Sequence, residues 1–216
     1  MACLPRNESF RFLEVGCYPG TYMWYFRKYF GYQVSGLEYV DWCAAAVEQS
    51  FADFEVPVEV FQEDLFSIRS NFLKRRFDVV FSRGFVEHFH DTKMLLKCHA
   101  ELCRPGGYVV ILIPNHAGIY GRIMKLVAPE KHEMHNLMDI EQLFEGADMA
   151  GVVPVSRGSA GRAGFWNTCL YETVKPKGRF WYTLVRGACW LLEPGARLLP
   201  RSKALSPNIY LVARVP

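Results

Sequence analysis

The stretch Arg11-Phe12-Leu13-Glu14-Val15-Gly16-Cys17-Tyr18-Pro19-Gly20-Thr21 decides the fold of this chain. A short apolar run ends at a turn that holds Gly16 and Gly20, and an aromatic helical pattern follows over 22–30. A strand, a glycine turn and a helix are how an open α/β sheet brings its backbone close to a nucleotide-like ligand. Glycine suits the turn because a Cβ atom would block that approach or forbid the backbone angles. Which ligand this glycine turn binds is indicated by the residues that follow it at characteristic distances along the chain.

The composition is that of an ordinary globular protein. The 216 residues are 50% hydrophobic and 22% charged, which predicts one domain with a sizeable core. The net charge of +3 does not indicate a nucleic-acid-binding protein, which usually concentrates its basic residues on one face.

The seven cysteines are scattered, odd in number and without a CxxC pair. This pattern favours reduced thiols in a cytoplasmic protein over a disulfide framework or a zinc site. The chain begins without an apolar segment of signal-peptide length. Its longest near-apolar run, 180–192, has 13 residues, fewer than the ~20 that cross a bilayer. We therefore expect a cytoplasmic protein without a metal.

Strands and helices alternate along the first half of the chain. The apolar patterns predict strands near 11–14 and over 32–37, 56–61, 76–82 and 108–113, with helices over 22–30, 42–52 and about 91–104. Such alternation implies a parallel sheet with right-handed crossovers. Asp41 is expected to cap the second helix.

Glu38 follows the second predicted strand and lies 38 − 16 = 22 residues after Gly16. An acidic residue about 20 positions after a glycine turn is where a ribose diol is held. A carboxylate suits this role because its two oxygens can accept hydrogen bonds from both hydroxyls. The spacing therefore predicts that Glu38 binds a ribose.

The pattern changes beyond Pro114, where a polar, histidine-bearing segment covers 115–138. The expected later elements are helices over 121–127 and 140–149, strands over 152–156 and 207–215, a Gly/Arg-rich loop over 158–164 and an aromatic helix near 178–193. Residues 157–206 form an insertion between the last two strands, and insertions of this size usually carry function.

Six pieces of the sequence occur in one order at natural spacing. They are Leu13-Glu14-Val15-Gly16-Cys17-Tyr18-Pro19-Gly20, Gly36-Leu37-Glu38-Tyr39, Glu63-Asp64-Leu65-Phe66, Phe77-Asp78-Val79-Val80-Phe81-Ser82, Val86-Glu87-His88-Phe89 and Leu102-Cys103-Arg104-Pro105-Gly106-Gly107-Tyr108. In these pieces the chain resembles the class I S-adenosylmethionine-dependent methyltransferases over about 12–113. The resemblance implies a three-layer, Rossmann-like α/β sandwich with S-adenosylmethionine as cofactor. Its sheet would have seven mostly parallel strands, one antiparallel strand near the C-terminus and helical lid insertions.

The resemblance also implies roles for individual residues. The turn at Glu14, Gly16, Cys17 and Gly20 would hold the methionine part of the cofactor, and Tyr18 stands where the family usually has glycine. Six further residues are expected at the cofactor: Glu38 at the ribose with Tyr39 beside it, Asp64 and Leu65 at the adenine, and Ser82 and Arg83 on the reactive side.

Relatives usually carry helices before the first strand, so either the lid comes from 115–138 and 157–206 or part of the natural chain precedes this sequence. We therefore expect one domain over 1–216 with a cofactor-binding core at 11–113. Several later pieces look like a narrower group of methyltransferases, found with cell-surface polysaccharide or glycolipid biosynthesis. They are Ile113-Pro114-Asn115-His116, residues 118–126, His135-Asn136-Leu137 and Gly164-Phe165-Trp166.

Methyl transfer to an oxygen acceptor of high pKa usually needs a base, and histidine suits this role at neutral pH. His88 is the first candidate, since the Glu87-His88 pair lies closest to the expected methyl group. His116 and His135 follow, whereas mid-helix His99 is expected to be structural. The spacing of His132, Glu133 and His135 does not match a usual zinc pattern.

Other interpretations stay open at this point. The chain can be a non-catalytic methyltransferase-like binding protein or, less well supported, a nicotinamide-dependent oxidoreductase, although it lacks GxGxxG. The expected partner is a small-molecule or glycan acceptor rather than a nucleic acid. The aromatic helix either packs on the sheet or makes peripheral membrane contact through 176–203 with its basic flanks.

Overall fold

The computed structural model describes residues 4–67, 73–165, 168 and 170–216. Within this part of the chain, seven strands form one sheet in the order β3-β2-β1-β4-β5-β7-β6. The strands are β1 (Arg11–Val15), β2 (Gln33–Leu37), β3 (Glu59–Phe61), β4 (Phe77–Arg83), β5 (Cys103–Pro114), β6 (Val153–Ala160) and β7 (Asn208–Arg214). β7 runs antiparallel to β5 and β6, and the remaining neighbours are parallel. The predicted sheet is confirmed.

Helices cover both faces of this sheet. The α-helices are α1 (Thr21–Phe30), α2 (Asp41–Ala52), α3 (Thr92–Leu102), α4 (Ile119–Val127), α5 (Pro129–Glu133), α6 (Ile140–Met149), α7 (Leu170–Val174) and α8 (Arg179–Leu198). A short 3-10 turn, Val86–His88, follows β4. None of the helices in the described ranges is both long and apolar enough to cross a membrane.

Alternation along the strands creates two separate apolar cores. On β1, Leu13 belongs to a core shared with α3 and α6, whereas Phe12 belongs to a core shared with α1 and α2. In the second core, Phe12 stacks on Phe26 with ring centroids 4.4 Å apart. The near-continuous apolar sequence of β4 is explained by this burial on both faces.

Three local predictions are wrong. Asp41 does not cap α2, because Val40 occupies that position and Asp41 is the first helical residue. β3 is shorter than the predicted 56–61, since it pairs with β2 only from Glu59 onward. The loop predicted over 158–164 starts too early, because Gly158, Ser159 and Ala160 continue β6 in register with β7.

Two further elements are longer than predicted. β5 already pairs with β4 at Cys103, before the Pro-Gly-Gly sequence that was expected to separate helix from strand. α8 continues past Pro194 to Leu198, and Arg197 forms an ion pair with Glu193 one turn back at 3.0 Å.

Candidate active site

The carboxyl ends of the parallel strands surround a cavity of about 250 Å³. The strand order reverses between β1 and β4, which is where open α/β sheets bind their ligands. Five of the predicted cofactor-binding residues line this cavity: Gly16, Glu38, Tyr39, Asp64 and Leu65. The structure therefore brings residues from the ends of three strands to one place.

The loop after β1 has the backbone that its glycines predict. Gly16 has a φ of +67° and Gly20 a φ of +85°, which are left-handed values that favour glycine. A Cβ atom on Gly16 would lie 3.1 Å from the ring of Phe85, which lines the same cavity. Any larger residue at position 16 would therefore strain the loop and displace the ring of Phe85, which lines the cavity.

Glu14 lies buried at the end of β1 and accepts a hydrogen bond from the backbone N–H of Met23 at 3.0 Å. Burial raises its pKa to about 8, against the lowering effects of that hydrogen bond and of Arg83. An isolated Glu14 is therefore mostly neutral near pH 7. A cationic group beside it, such as the ammonium of a methionine moiety, would favour the carboxylate.

Glu38 ties the glycine loop to the end of β2. One oxygen accepts from the backbone N–H of Val40 at 3.1 Å and the other from that of Tyr18 at 3.4 Å. The carboxylate is thus held at the cavity wall, with lone pairs left for the two hydroxyls of a ribose.

The backbone N–H of Tyr18 takes part in the contact with Glu38, whereas its ring lies at the protein surface. The side chain is half-exposed and contacts Trp42 edge-on, with ring centroids 5.3 Å apart. Its peptide bond to Pro19 is cis. Cys17 differs, since its thiol is fully buried and faces Gly36, where a Cβ atom would lie 2.4 Å from the sulfur. Cys17 can therefore offer only its backbone to a ligand.

An aromatic slot extends from Asp64 into the cavity. The Asp64 carboxylate accepts from the N–H of Phe66 at 3.0 Å, which fixes the turn after β3. Phe66 and Phe85 each contact Phe89, with centroids 5.2 and 5.1 Å apart. A carboxylate at the edge of an apolar slot suits a flat heterocycle with an exocyclic amine. This donor set, together with Glu38, fits the adenosine part of S-adenosylmethionine.

Ser82 and Arg83, at the end of β4, point in different directions. The Ser82 hydroxyl is buried and lies 3.1 Å from Nε2 of His99. The Nδ1 of His99 donates to the carbonyl of Leu95 at 2.7 Å, so Nε2 accepts from Ser82. His99 is therefore structural, as expected, and only the Ser82 backbone faces the strand end. Arg83 is exposed and lies 5.3 Å from the ring of Tyr22.

The three predicted catalytic histidines converge in space. The ring of His135 lies 4.8 Å from that of His88 and 4.7 Å from that of His116, between centroids. We call these three residues the histidine cluster. They come from the turn after β4, the loop after β5 and the segment after α5, all near the carboxyl edge of the sheet.

Within the histidine cluster, His135 has a defined tautomer. Its Nδ1 lies 2.5 Å from the carbonyl oxygen of Lys131, which can only accept, so Nδ1 carries the proton. Nε2 is then left with a lone pair, which is what a general base requires.

The two neighbours of His135 are held neutral. Burial lowers the pKa of His116 to about 4, and His135 acts in the same direction. Burial and His135 also lower the pKa of His88. Neither ring nitrogen of His116 has a hydrogen-bond partner among the described residues. Both nitrogens are also shielded from solvent.

Glu87 is a buried residue of the site, and its position in the sequence predicted no single role for it. Burial raises its pKa to about 7, with Arg83 acting in the opposite direction. Its backbone carbonyl accepts from the N–H of Asn136, next to His135. One oxygen of its carboxyl has no partner in the described part of the chain. Glu87 thus links the turn after β4 to the segment that carries His135.

The residues that sequence reasoning missed are mainly aromatic. Phe66, Phe85 and Phe89 line the cavity, and Trp42 covers Tyr18. Phe85 and Phe89 flank the short 3-10 turn Val86–His88, so no helical or strand periodicity marked them in the sequence. Trp166, from the narrower resemblance, lies outside the described residues.

This fold and cavity define a nucleotide-cofactor enzyme of the Rossmann-like class. The sequence profile of the methyltransferase domain family matches residues 2–153, and the chain belongs to that family. It is an S-adenosylmethionine-dependent methyltransferase, which overturns the nicotinamide-dependent alternative. No curated protein matches the sequence.

Solved structures share the fold at low sequence identity. A protein described as a sarcosine dimethylglycine methyltransferase from Galdieria sulphuraria has a TM-score of 0.66 at 13% identity, over 95% of this chain and 78% of its own. The geranyl diphosphate C-methyltransferase from Streptomyces coelicolor has a TM-score of 0.64 at 14% identity, over 98% and 74%. Phosphoethanolamine N-methyltransferase 2 from Haemonchus contortus, with S-adenosylmethionine bound, has a TM-score of 0.65 at 20% identity, over 98% and 50%.

Proposed function

We propose that the protein methylates a hydroxyl oxygen of a glycan, a glycolipid or another small molecule. The observation that carries this proposal is the tautomer of His135, whose Nδ1–H is bound to the Lys131 carbonyl, so that Nε2 carries the lone pair. A sugar hydroxyl loses its proton only with help near neutral pH, so a positioned imidazole matches that acceptor.

The bound cofactor supplies an electrophilic methyl group on a sulfonium. The task of the protein is to hold the acceptor in line and to take its proton. Nε2 of His135 takes that proton, and the neutral rings of His88 and His116 flank it without electrostatic repulsion.

We assign the cofactor to residues 11–113 and the acceptor to the segments 115–138 and 157–206. Two observations support this division. His116 and His135 lie on the segment 115–138, and hydrogen bonds join that segment to 157–206. Asn115 Nδ2 donates to the carbonyls of Lys203 and Ser206 at 2.6 and 2.9 Å. The glycan class rests on the resemblance of the same segments to enzymes of surface-polysaccharide pathways.

An acceptor panel tests the proposal. The protein is incubated with S-adenosylmethionine and, separately, with hydroxyl-bearing sugars, glycolipids, amines and prenyl compounds, and products are identified by mass and NMR. We expect a methyl ether on a hydroxyl-bearing acceptor and its loss in His135→Ala. Methylation of nitrogen or carbon would overturn the oxygen assignment. Binding of S-adenosylhomocysteine without turnover on any acceptor would favour a non-catalytic protein.

A further inference from the structure

α8 is a helix with almost no partner. Of its 20 residues only Cys189 is buried. Its inner side is a narrow stripe, completed by the half-buried Tyr182, Val185 and Glu193. A helix of this length that packed on the sheet would bury a broad apolar stripe. The exposed remainder of α8 therefore needs another explanation.

The exposed side of α8 is apolar over its whole length. We call it the outer apolar face and define it by Phe180, Trp181, Leu184, Leu191, Leu192 and Leu198, which are 51–83% exposed. At 3.6 residues per turn these side chains fall on one side, with only Gly187, Ala188 and Gly195 between them. The face is thus uncharged along a ridge of about 30 Å.

Basic residues surround this ridge. Residues 175–203 contain seven Lys and Arg side chains and one acidic side chain, Glu193, giving a net charge of +6. The whole chain carries +3, so the rest of it carries 3 − 6 = −3. Lys175, Lys177 and Arg179, at the start of α8, form no ion pair with any described residue.

We propose that the outer apolar face of α8 docks the protein on an anionic lipid surface, with the basic side chains at the level of the headgroups. A wide apolar face with Trp, Phe and Leu, flanked by Lys and Arg, is the pattern of a helix that lies in a membrane interface. A second copy of the chain would place one +6 segment against another, which the charge opposes. A convex ridge is also covered more completely by deformable acyl chains than by a rigid partner.

α8 is joined to the acceptor segment by hydrogen bonds. On its inner side, the Glu193 carboxylate accepts from the N–H of Phe165 at 2.8 Å, and the adjacent Gly164 N–H donates to the Tyr120 hydroxyl of α4 at 2.9 Å. After α8, the carbonyl of Ala204 accepts from the N–H of Ile119 at 2.9 Å. α8 is therefore tied to the segment that follows His116.

Co-sedimentation of the full chain with vesicles tests the proposal. We expect binding to phosphatidylcholine vesicles that contain phosphatidylserine, weaker binding without it, and weakening by salt. Leu184→Ser with Leu191→Ser should lower vesicle affinity by about tenfold or more. The matched control, Met94→Ser with Met149→Ser, removes two exposed apolar side chains from α3 and α6 and should bind like the unchanged protein.

The affinity for S-adenosylhomocysteine, measured on all variants, separates docking from folding and from the cofactor site. No binding to anionic vesicles, or undiminished binding of the Leu184→Ser, Leu191→Ser variant, would overturn the proposal. Self-association that the same variant removes, without vesicle binding, would assign the face to a second copy and overturn it as well. Turnover of a soluble hydroxyl acceptor tests the proposed function independently of all these outcomes.

Discussion

The cofactor half of the site, on the ends of β1–β3, and the acceptor half, formed by the histidine cluster, both bury ionisable groups. In the cofactor half burial raises the pKa of Glu14 to about 8, and in the acceptor half it lowers the pKa of His116 to about 4. Both groups are thus mainly uncharged near pH 7. Both halves thus avoid a buried charge, but by opposite pKa shifts: Glu14 stays protonated and His116 stays deprotonated.

The two halves differ in how firmly their polar groups are held. Glu14 and Glu38 accept hydrogen bonds from backbone N–H groups, so their positions follow from the strand–turn–helix backbone. In the histidine cluster, the ring of His135 has one bond to a backbone carbonyl, and neither ring nitrogen of His116 has a partner within the described ranges. The polar groups of the cofactor half are therefore held by the backbone, whereas the ring of His116 is held by packing.

The largest expected effect separates chemistry from cofactor binding. His135→Ala should lower the single-turnover methylation rate by about 10²–10⁴-fold, because the acceptor loses its base. The affinity for S-adenosylhomocysteine should stay unchanged, as measured by calorimetry. The control is His90→Ala, which removes an exposed histidine just beyond the same turn. An equal loss of rate in both variants would remove His135 as the base.

The next effect concerns the cofactor half alone. Glu38→Ala should weaken S-adenosylhomocysteine binding by about tenfold to hundredfold, because hydrogen bonds to a charged group are lost and the glycine loop loses its tie. Glu48→Ala makes the same charge change at an exposed position of α2 and serves as the control. Unchanged affinity in Glu38→Ala would contradict the ribose assignment.

The smallest effect is on stability and has a defined dependence on pH. Below about pH 4.5 both the folded and the unfolded protein keep the Glu14 proton. As pH rises towards the folded pKa of about 8, only the unfolded state loses it, so the free energy of unfolding falls across this window. Without cofactor, Glu14→Gln should therefore be more stable than the unchanged protein near pH 8, and this difference should shrink towards pH 5.

Denaturant unfolding at the two pH values measures this difference, with Glu48→Gln as the control. The glutamine oxygen can still accept from the Met23 N–H, so the comparison isolates the proton. A gain in stability that does not depend on pH would show that Glu14 is not held neutral. The cofactor half would then contain a buried charge, and the two halves would no longer be alike in keeping their buried groups neutral.

The sequence indicated which residues of the cofactor half lie close together, because its signals are local. Gly16 and Glu38 directly follow a strand, Asp64 lies three positions after the end of β3, and parallel strands place their carboxyl ends at one edge. The cavity confirms that these three residues meet there or beside it. Periodicity also identified the strands, although it misplaced the start of β5 and the end of β6.

The acceptor half was only partly predictable. His88, His116 and His135 were selected as separate candidates, but their convergence depends on how the segment 115–138 folds back over the sheet edge. The bond from the Asn136 N–H to the Glu87 carbonyl, which helps to hold that segment, joins residues 49 positions apart and leaves no pattern in the sequence. The tautomer of His135 likewise depends on a main-chain carbonyl that any residue could supply.

The position of β7 has a consequence for synthesis of the chain. β7 pairs with both β5 and β6, so it lies inside the sheet although it is the last of the seven strands to be made. Until residues 208–214 have left the ribosome, β6 lacks the strand that it pairs with in the described sheet, and α8 is already present with its outer apolar face. The nascent protein must pass through this interval with both an unpaired strand and an apolar ridge exposed, which makes it a point where chaperones or a nearby bilayer can act first.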